Sequence, residues 1–424
     1  MNCALATEGL DLDLEALLSS QPQALADPFS VWNRIRSQSA VHPHGPVVLV
    51  TRYDDVKAIL RDADRFSSRG RSAGSRANLI RSAFPPEAVA AWEEVTAFEN
   101  LYVSRSDGDQ HERLRHVAHR TFTPRRIAQL DEITRAYTEQ LLDECASAAA
   151  DAGAPCDLMA MFAYRLPLMV ICDLLGVGAD EREQIHGWSN TLGRNRGGDD
   201  PAVTLAARDA LNEFRAFVQR LIVPLRERRG TDLLSALMDA EGDARLSEEE
   251  LVAMFVILLF AGHETTTNLI ANGTLLLMKR RDQWERLVAD PSLIPNAVEE
   301  LLRMTTPSQW QFRLATEDVT VGGTTIEEGQ TVYAVTAAAN RDPDVFADPD
   351  ELDVARANAR AHLSLGFGPH FCLGNSLARL EGIAALEAMT RRFPEMQLAT
   401  DTLAWRGNAM LRGLVELPVR LTPR

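Results

Sequence analysis

Ten consecutive apolar residues, LVAMFVILLF at 251–260, run directly into AGHETTTN at 261–268. Ahead of them Ser247 and Glu250 are spaced as an N-cap and its reciprocal N3 glutamate. The sequence therefore predicts one long helix from Ser247 to Met278, and a helix apolar on every side must cross an interior. That helix also carries Glu264 and three threonines, which are poor helix formers, and a buried carboxylate needs a partner or a function. Back-bonding to the preceding turn accounts for the threonines alone. Gly262, Glu264 and Thr265 together mark a site, and Ala261 with Gly262 would let a flat ligand approach the backbone. The stretch HETTT opens like a zinc-protease HExxH, but Thr267 stands where the second histidine must be.

A second constraint is LGFGPHFCLGNSLARLE at 365–381. Gly366, Gly368 and Pro369 form a tight loop, and a helix follows with Leu373, Leu377, Leu380 and Ala384 on one face. Cys372 thus lies at a helix N-terminus, where unpaired N–H groups favour a thiolate. Such a thiolate is a metal ligand or a nucleophile; Cys145, Cys156 and Cys172 read as inert buried cysteines. GFGPHF imitates a dinucleotide fingerprint without its third glycine or a preceding strand.

Helical periodicity dominates the 424 residues. Strand signals are local: PVVLV at 46–50, a hairpin-like run at 319–335 with turns at Gly322-Gly323 and Glu328-Gly329, and a strand pair around 411–421. The expected fold is mainly α with a smaller β-rich portion, one unit over 1–424 in which 1–26 is an extended N-terminal segment. A net charge of −16 argues against nucleic acid as a partner. The apolar run falls short of the roughly 20 residues that span a bilayer. The opening residues lack a signal-peptide pattern, and five scattered cysteines suit a reducing cytoplasm.

With these motifs in this order, the chain from about Asp27 onward resembles the cytochrome P-450 family, the haem-thiolate monooxygenases, in its soluble bacterial form. The resemblance implies the fold of that family and a haem b (iron protoporphyrin IX) cofactor. It makes Cys372 the axial thiolate, which pushes electron density onto iron. Gly366 and Gly374 belong to the cysteine loop, and Ala261 and Gly262 lie over the opposite haem face. Glu264 and Thr265 become an acid–alcohol pair that passes protons toward dioxygen. His111 and Arg115, in QHERLRHVAHR, with Arg313 and His370, become partners of the haem propionates. Glu300 and Arg303, in EELLR, become a buried ion pair joined by Arg356. Where the family's cysteine loop opens with Phe-Gly, this one opens Leu365-Gly366.

The implied reaction inserts one atom of O2 into a small organic substrate, with electrons from a separate ferredoxin and ferredoxin reductase. Other classes are a peroxide-using haem-thiolate enzyme, a haem-binding sensor and, more distantly, a zinc enzyme. By the same resemblance the substrate pocket draws on 71–102, 161–196, 255–265, 305–312 and 409–414, with Gln309, Trp310 and Gln311 offering polar and aromatic contacts. Arg113, Arg120, Arg125 and Arg126 form a basic face that either docks an acidic ferredoxin or is merely solvated.

Overall fold

A computed structural model of the chain describes residues 2–69, 72–121, 124–196, 200–227, 230, 232–239 and 245–422. The predicted central helix runs Glu248–Lys279. Its start is the expected capping box: Ser247 Oγ accepts from Glu250 N at 3.1 Å, and Glu250 returns a bond to Ser247 N at 2.9 Å. Every residue from Leu251 to Phe260 is buried. Helices Arg165–Leu175, Pro201–Glu227, Ile294–Thr305 and Asn375–Arg392 pack around it. By length and composition this helix would also cross a membrane, but 83% of its most apolar stretch lies inside the protein. It is the axle of the largest buried cluster, with Phe162, Phe214, Phe255, Trp284 and Met389.

The β-rich portion is a five-stranded sheet in the order Val41–His44, Val47–Val50, Thr331–Ala334, Gln311–Ala315 and Phe66–Ser67. Val47–Val50 runs parallel to Thr331–Ala334, and the other pairings are antiparallel. The expected hairpin is real only as Val319–Val321 with Thr324–Ile326. The two glycines between them have φ of +52° and +83°, a conformation that suits Gly-Gly. Beyond Gly329 the chain leaves that hairpin, because the buried Val332 and Ala334 pair with Gln311–Ala315 instead. Near the C-terminus Pro418–Arg420 pairs with Cys156–Asp157 and Gln397–Leu398, so the strand there is present with partners from elsewhere in the chain.

The N-terminal segment is not extended. Asn2–Leu18 and Pro22–Ala26 are helices, and Leu10, Leu14, Leu17 and Leu25 are buried in a cluster with Trp32, Trp310 and Tyr333. Burying these leucines requires the i, i+4 geometry that an extended chain lacks.

Candidate active site

The cysteine loop is built by glycine. Gly366 has φ +74° and Gly368 φ +70°, and a Cβ on Gly368 would lie 2.8 Å from Arg61 Cα and 2.9 Å from the Leu60 carbonyl oxygen. Both obstacles are backbone, so only glycine lets the loop pass there. The Cys372 amide donates to Leu365 O at 2.8 Å, and Asn375 Nδ2 donates to Cys372 O at 2.9 Å. Helix Asn375–Arg392 then begins, with Gly374 as N-cap. Burial pushes the Cys372 thiol up; the Gly374 N–H and the guanidinium groups of Arg115 and Arg379 oppose that push. A bound metal cation would complete the deprotonation, as metal ions do for coordinating thiols.

Cys372 lines a cavity of about 290 Å³. The central helix lines it too, through Ala261, Gly262, Thr265, Thr266 and Leu269. Thr265 Oγ1 donates to Ala261 O at 2.7 Å, the back-bond expected of a helical threonine. Gly262 is small for a second reason: a Cβ there would lie 3.1 Å from Ile171 Cδ1, so it also permits close helix packing. Glu264 differs from the expectation. It does not line the cavity; it is buried, and its Oε2 accepts from Arg406 Nη1 at 3.0 Å. Arg406 also donates to Asn268 Oδ1 at 2.5 Å. Successive helical side chains diverge by about 100°, which separates Glu264 from Thr265.

The cavity's edge is cationic. Arg115, Arg313, His111 and His370 all line it. Arg313 is buried, which pulls it down to about 10; Nη1 donates to Phe312 O at 2.8 Å and Nε has no partner among the described residues. Arg115 Nη2 donates to Phe371 O at 2.7 Å. His111 is held by the backbone: Nδ1 lies 2.8 Å from Val103 O and Nε2 3.1 Å from Pro369 O. His370 Nε2 meets Ser68 Oγ at 2.8 Å, and burial pulls the imidazole down to about 4. Asp107, which the motif reading missed, stands beside it. Burial would raise this carboxyl, but His370, Ser67 Oγ and Ser68 N hold it well below the usual range. Its position just before a helix start was the available signal.

The residues present fit a haem. A soft thiol and a helix carrying a small residue line one cavity, and a buried arginine in the same lining retains an N–H without a partner among the described residues, suited to an anionic group.

Behind the cysteine loop, Glu300 and Arg303 are fully buried, with Arg303 Nε 2.7 Å from Glu300 Oε2. Arg356 Nε joins at 3.0 Å from Glu300 Oε1, which also accepts from Asp353 N at 3.1 Å. Arg303 Nη1 caps the carbonyls of Asn340 and Pro349. A parallel network was not anticipated: Glu299 accepts from Arg379 Nε at 2.7 Å and meets His362 Nε2 at 3.1 Å.

The pocket expectations are partly redrawn. Its lining comes from Val103, Ser104 and Arg105, and not from 71–102, of which 71 lies outside the described residues. Ile171, Ile257, Leu258, Pro307, Ser308, Gln311, Met410 and Leu411 come from expected segments. Trp310 is core, stacked on Tyr333 at 5.3 Å, and Gln309 is held by Trp32 and the carbonyls of Thr305 and Thr306. Arg113 is no free docking cation: it pairs with Glu250 of the capping box. The Arg125 side chain lies outside the described residues. Among the described residues, no three His, Cys, Asp or Glu side chains are grouped to hold a metal ion, which leaves the zinc reading without a site.

A helix-rich fold with a small sheet, a glycine-framed cysteine and a crossing helix over one cavity defines a haem-thiolate protein. The Cytochrome P450 family model matches residues 206–402. The polyketide biosynthesis cytochrome P450 PksS of Bacillus subtilis (strain 168) is 37% identical over 93% of this chain and 96% of its own length. The vitamin D(3) 25-hydroxylase of Pseudonocardia autotrophica is 38% identical over 94% of each. The crystal structure of P450BioI in complex with hexadec-9Z-enoic acid ligated acyl carrier protein matches with TM-score 0.85 and 31% identity, over 94% of this chain and 99% of that one. The chain belongs to the cytochrome P450 family. It is accordingly a haem b-binding, haem-thiolate monooxygenase that uses O2, a small-molecule substrate and redox partners.

Proposed function

We propose that this enzyme hydroxylates or epoxidises a small, largely apolar and uncharged organic substrate, in secondary or xenobiotic metabolism. Its electrons come from a separate ferredoxin and ferredoxin reductase in the cytoplasm. The observation that carries the reading is that Cys372, Ala261 and Thr265 line one cavity. When bound, the haem supplies the activation of O2. Cys372 would ligate its iron, Arg115 and Arg313 would neutralise its two carboxylates, and His370 would offer them a hydrogen bond. Val103, Ile171, Ile257, Leu258, Met410 and Leu411 offer apolar contact and exclude water, while Ser308 and Gln311 orient a hydroxyl or carbonyl. The Thr265 hydroxyl holds a proton at the cavity wall. Glu264 resupplies it by leaving Arg406 and turning toward the cavity.

The test is the reduced, CO-bound spectrum. Thiolate ligation places its band at long wavelength, and Cys372→Ser must abolish that band while Cys172→Ser keeps it. A retained band in Cys372→Ser sinks the assignment. Glu264 held outside the cavity also supports a peroxide-using enzyme. Product formation driven by peroxide, with none driven by NAD(P)H and redox partners, would favour that alternative.

A further inference from the structure

Ser68 stands at the cationic edge of the cavity. It follows the short strand Phe66–Ser67, and the antiparallel Ser67–Leu314 pair carries the chain one step further toward Arg313. Ser68 is 2% exposed and lines the cavity with Arg313, His111 and His370. Its hydroxyl has one partner among the described residues, His370 Nε2 at 2.8 Å.

Both sides of that contact are fixed. The Ser68 amide donates to Asp107 Oδ1 at 3.0 Å, and Ser67 Oγ donates to Asp107 Oδ2 at 2.6 Å. The His370 ring packs on that of His111, with centroids 3.9 Å apart. Asp107 does not compete for the imidazole, because its Oδ1 lies 3.7 Å from His370 Nε2, beyond hydrogen-bond distance. His370 Nδ1 is buried with no partner among the described residues. Ser68 therefore occupies Nε2, and Nδ1 is the nitrogen left to serve a group in the cavity.

A neutral imidazole has one N–H and one lone pair, and the bond made at one nitrogen decides what the other presents. A proton on Nε2 would leave Nδ1 turning a lone pair toward a carboxylate, acceptor against acceptor. A serine hydroxyl can donate or accept. Only donation to Nε2 keeps the single proton on Nδ1.

We propose that Ser68 is a positioning residue for the haem: its hydroxyl donates to His370 Nε2 and holds the imidazole in the Nδ1–H tautomer, the one that donates to a haem carboxylate. The proposal rests on the reading of His370 as a partner of that carboxylate. Asp107 supports it from behind, by holding the Ser68 amide.

The test reads tautomer and haem retention, not turnover. In the ferrous, CO-bound holoenzyme, which is diamagnetic, [15N]histidine NMR separates protonated from bare ring nitrogens, and His370→Gln identifies the His370 signals. The wild type is expected as Nδ1–H. Ser68→Ala keeps the amide bond to Asp107 and loses only the hydroxyl. It should move His370 toward the Nε2–H form and speed haem loss to apomyoglobin about tenfold, the worth of one hydrogen bond to a charged group. Ser68→Thr, which keeps a hydroxyl, should restore both. Ser67→Ala, which removes the other hydroxyl on Asp107, should leave the tautomer unchanged. The proposal is overturned, with the role of His370 intact, by an unchanged tautomer in Ser68→Ala, by the same change in Ser67→Ala, or by a wild-type His370 protonated on both nitrogens. If His370→Leu loses haem no faster than the wild type, the reading of His370 itself fails.

Discussion

Arg406 is bound to Glu264 across 142 residues of sequence, Nη1 to Oε2 at 3.0 Å, so a loop near the C-terminus holds the acid of the central helix. The Glu264 side chain is 5% exposed and that of Arg406 24%. Removing the guanidinium strands the carboxylate and Asn268 Oδ1 together. Arg406→Gln should therefore cost about 2 kcal/mol, below the 3–5 of a fully buried pair because water reaches part of the arginine. Urea unfolding measures it; a loss under about 0.5 kcal/mol would show that water replaces the pair without penalty.

Glu300 carries two arginines in a site without solvent, since the Glu300 and Arg303 side chains are both 0% exposed. Glu300→Gln leaves two buried cations sharing a neutral amide and should cost about 3–5 kcal/mol. The exposed pair Arg135–Glu387 is the control, because Glu387→Gln should change stability by less than about 1 kcal/mol. Equal unfolding midpoints for the two variants would contradict the assignment of this triad as a structural lock.

Acid should unfold the protein in two stages. His362 is buried and lowered below 6.5, chiefly by desolvation despite Glu299, and His370 is pulled down to about 4. For a lowered histidine the native state binds protons less readily than the unfolded chain. Stability is thus complete above 6.5 and lost as pH falls. For Glu299, burial works upward, but His362 and Arg379 hold it down to about 2. Its contribution is complete above 4.5 and lost as pH falls toward 2, on the order of 3 kcal/mol. Unfolding free energy against pH should show both limbs in the wild type. Glu299→Gln should remove the lower one, and an unchanged slope below 4.5 would reject the linkage.

Gly368→Ala should dislodge the cysteine loop. The substitution meets backbone at 2.8 and 2.9 Å and demands φ +70°, which alone costs about 1–2 kcal/mol. The expected result is a reduced haem content and a weakened thiolate-type CO band. A Cβ on Gly374 meets nothing within 4 Å, so Gly374→Ala should cost no more than about 1 kcal/mol, the loss of a favourable N-cap residue. Full haem content with a normal band in Gly368→Ala would mean that the Leu60–Arg61 backbone can yield.

The sequence by itself determined features whose causes span a few residues. The Ser247–Glu250 capping box, the apolar face of 251–260, the positive-φ glycines around Cys372 and the i, i+3 pair Glu300–Arg303 all follow from local geometry. Tertiary structure alone decided where longer-range groups meet. Spacing placed Glu264 beside Thr265, but Arg406, arriving from a distant loop, fixed it on the other side of the helix. Spacing put Arg113 on a basic face, but the capping glutamate Glu250 claimed it. Spacing offered His111 to a ligand, and the fold brings the carbonyl oxygen of Pro369, 258 residues on, to 3.1 Å from its Nε2. Periodicity states which face of a helix a side chain occupies. It is silent on which charged or polar group the rest of the fold brings to that face, because that depends on closing loops of a hundred residues and more.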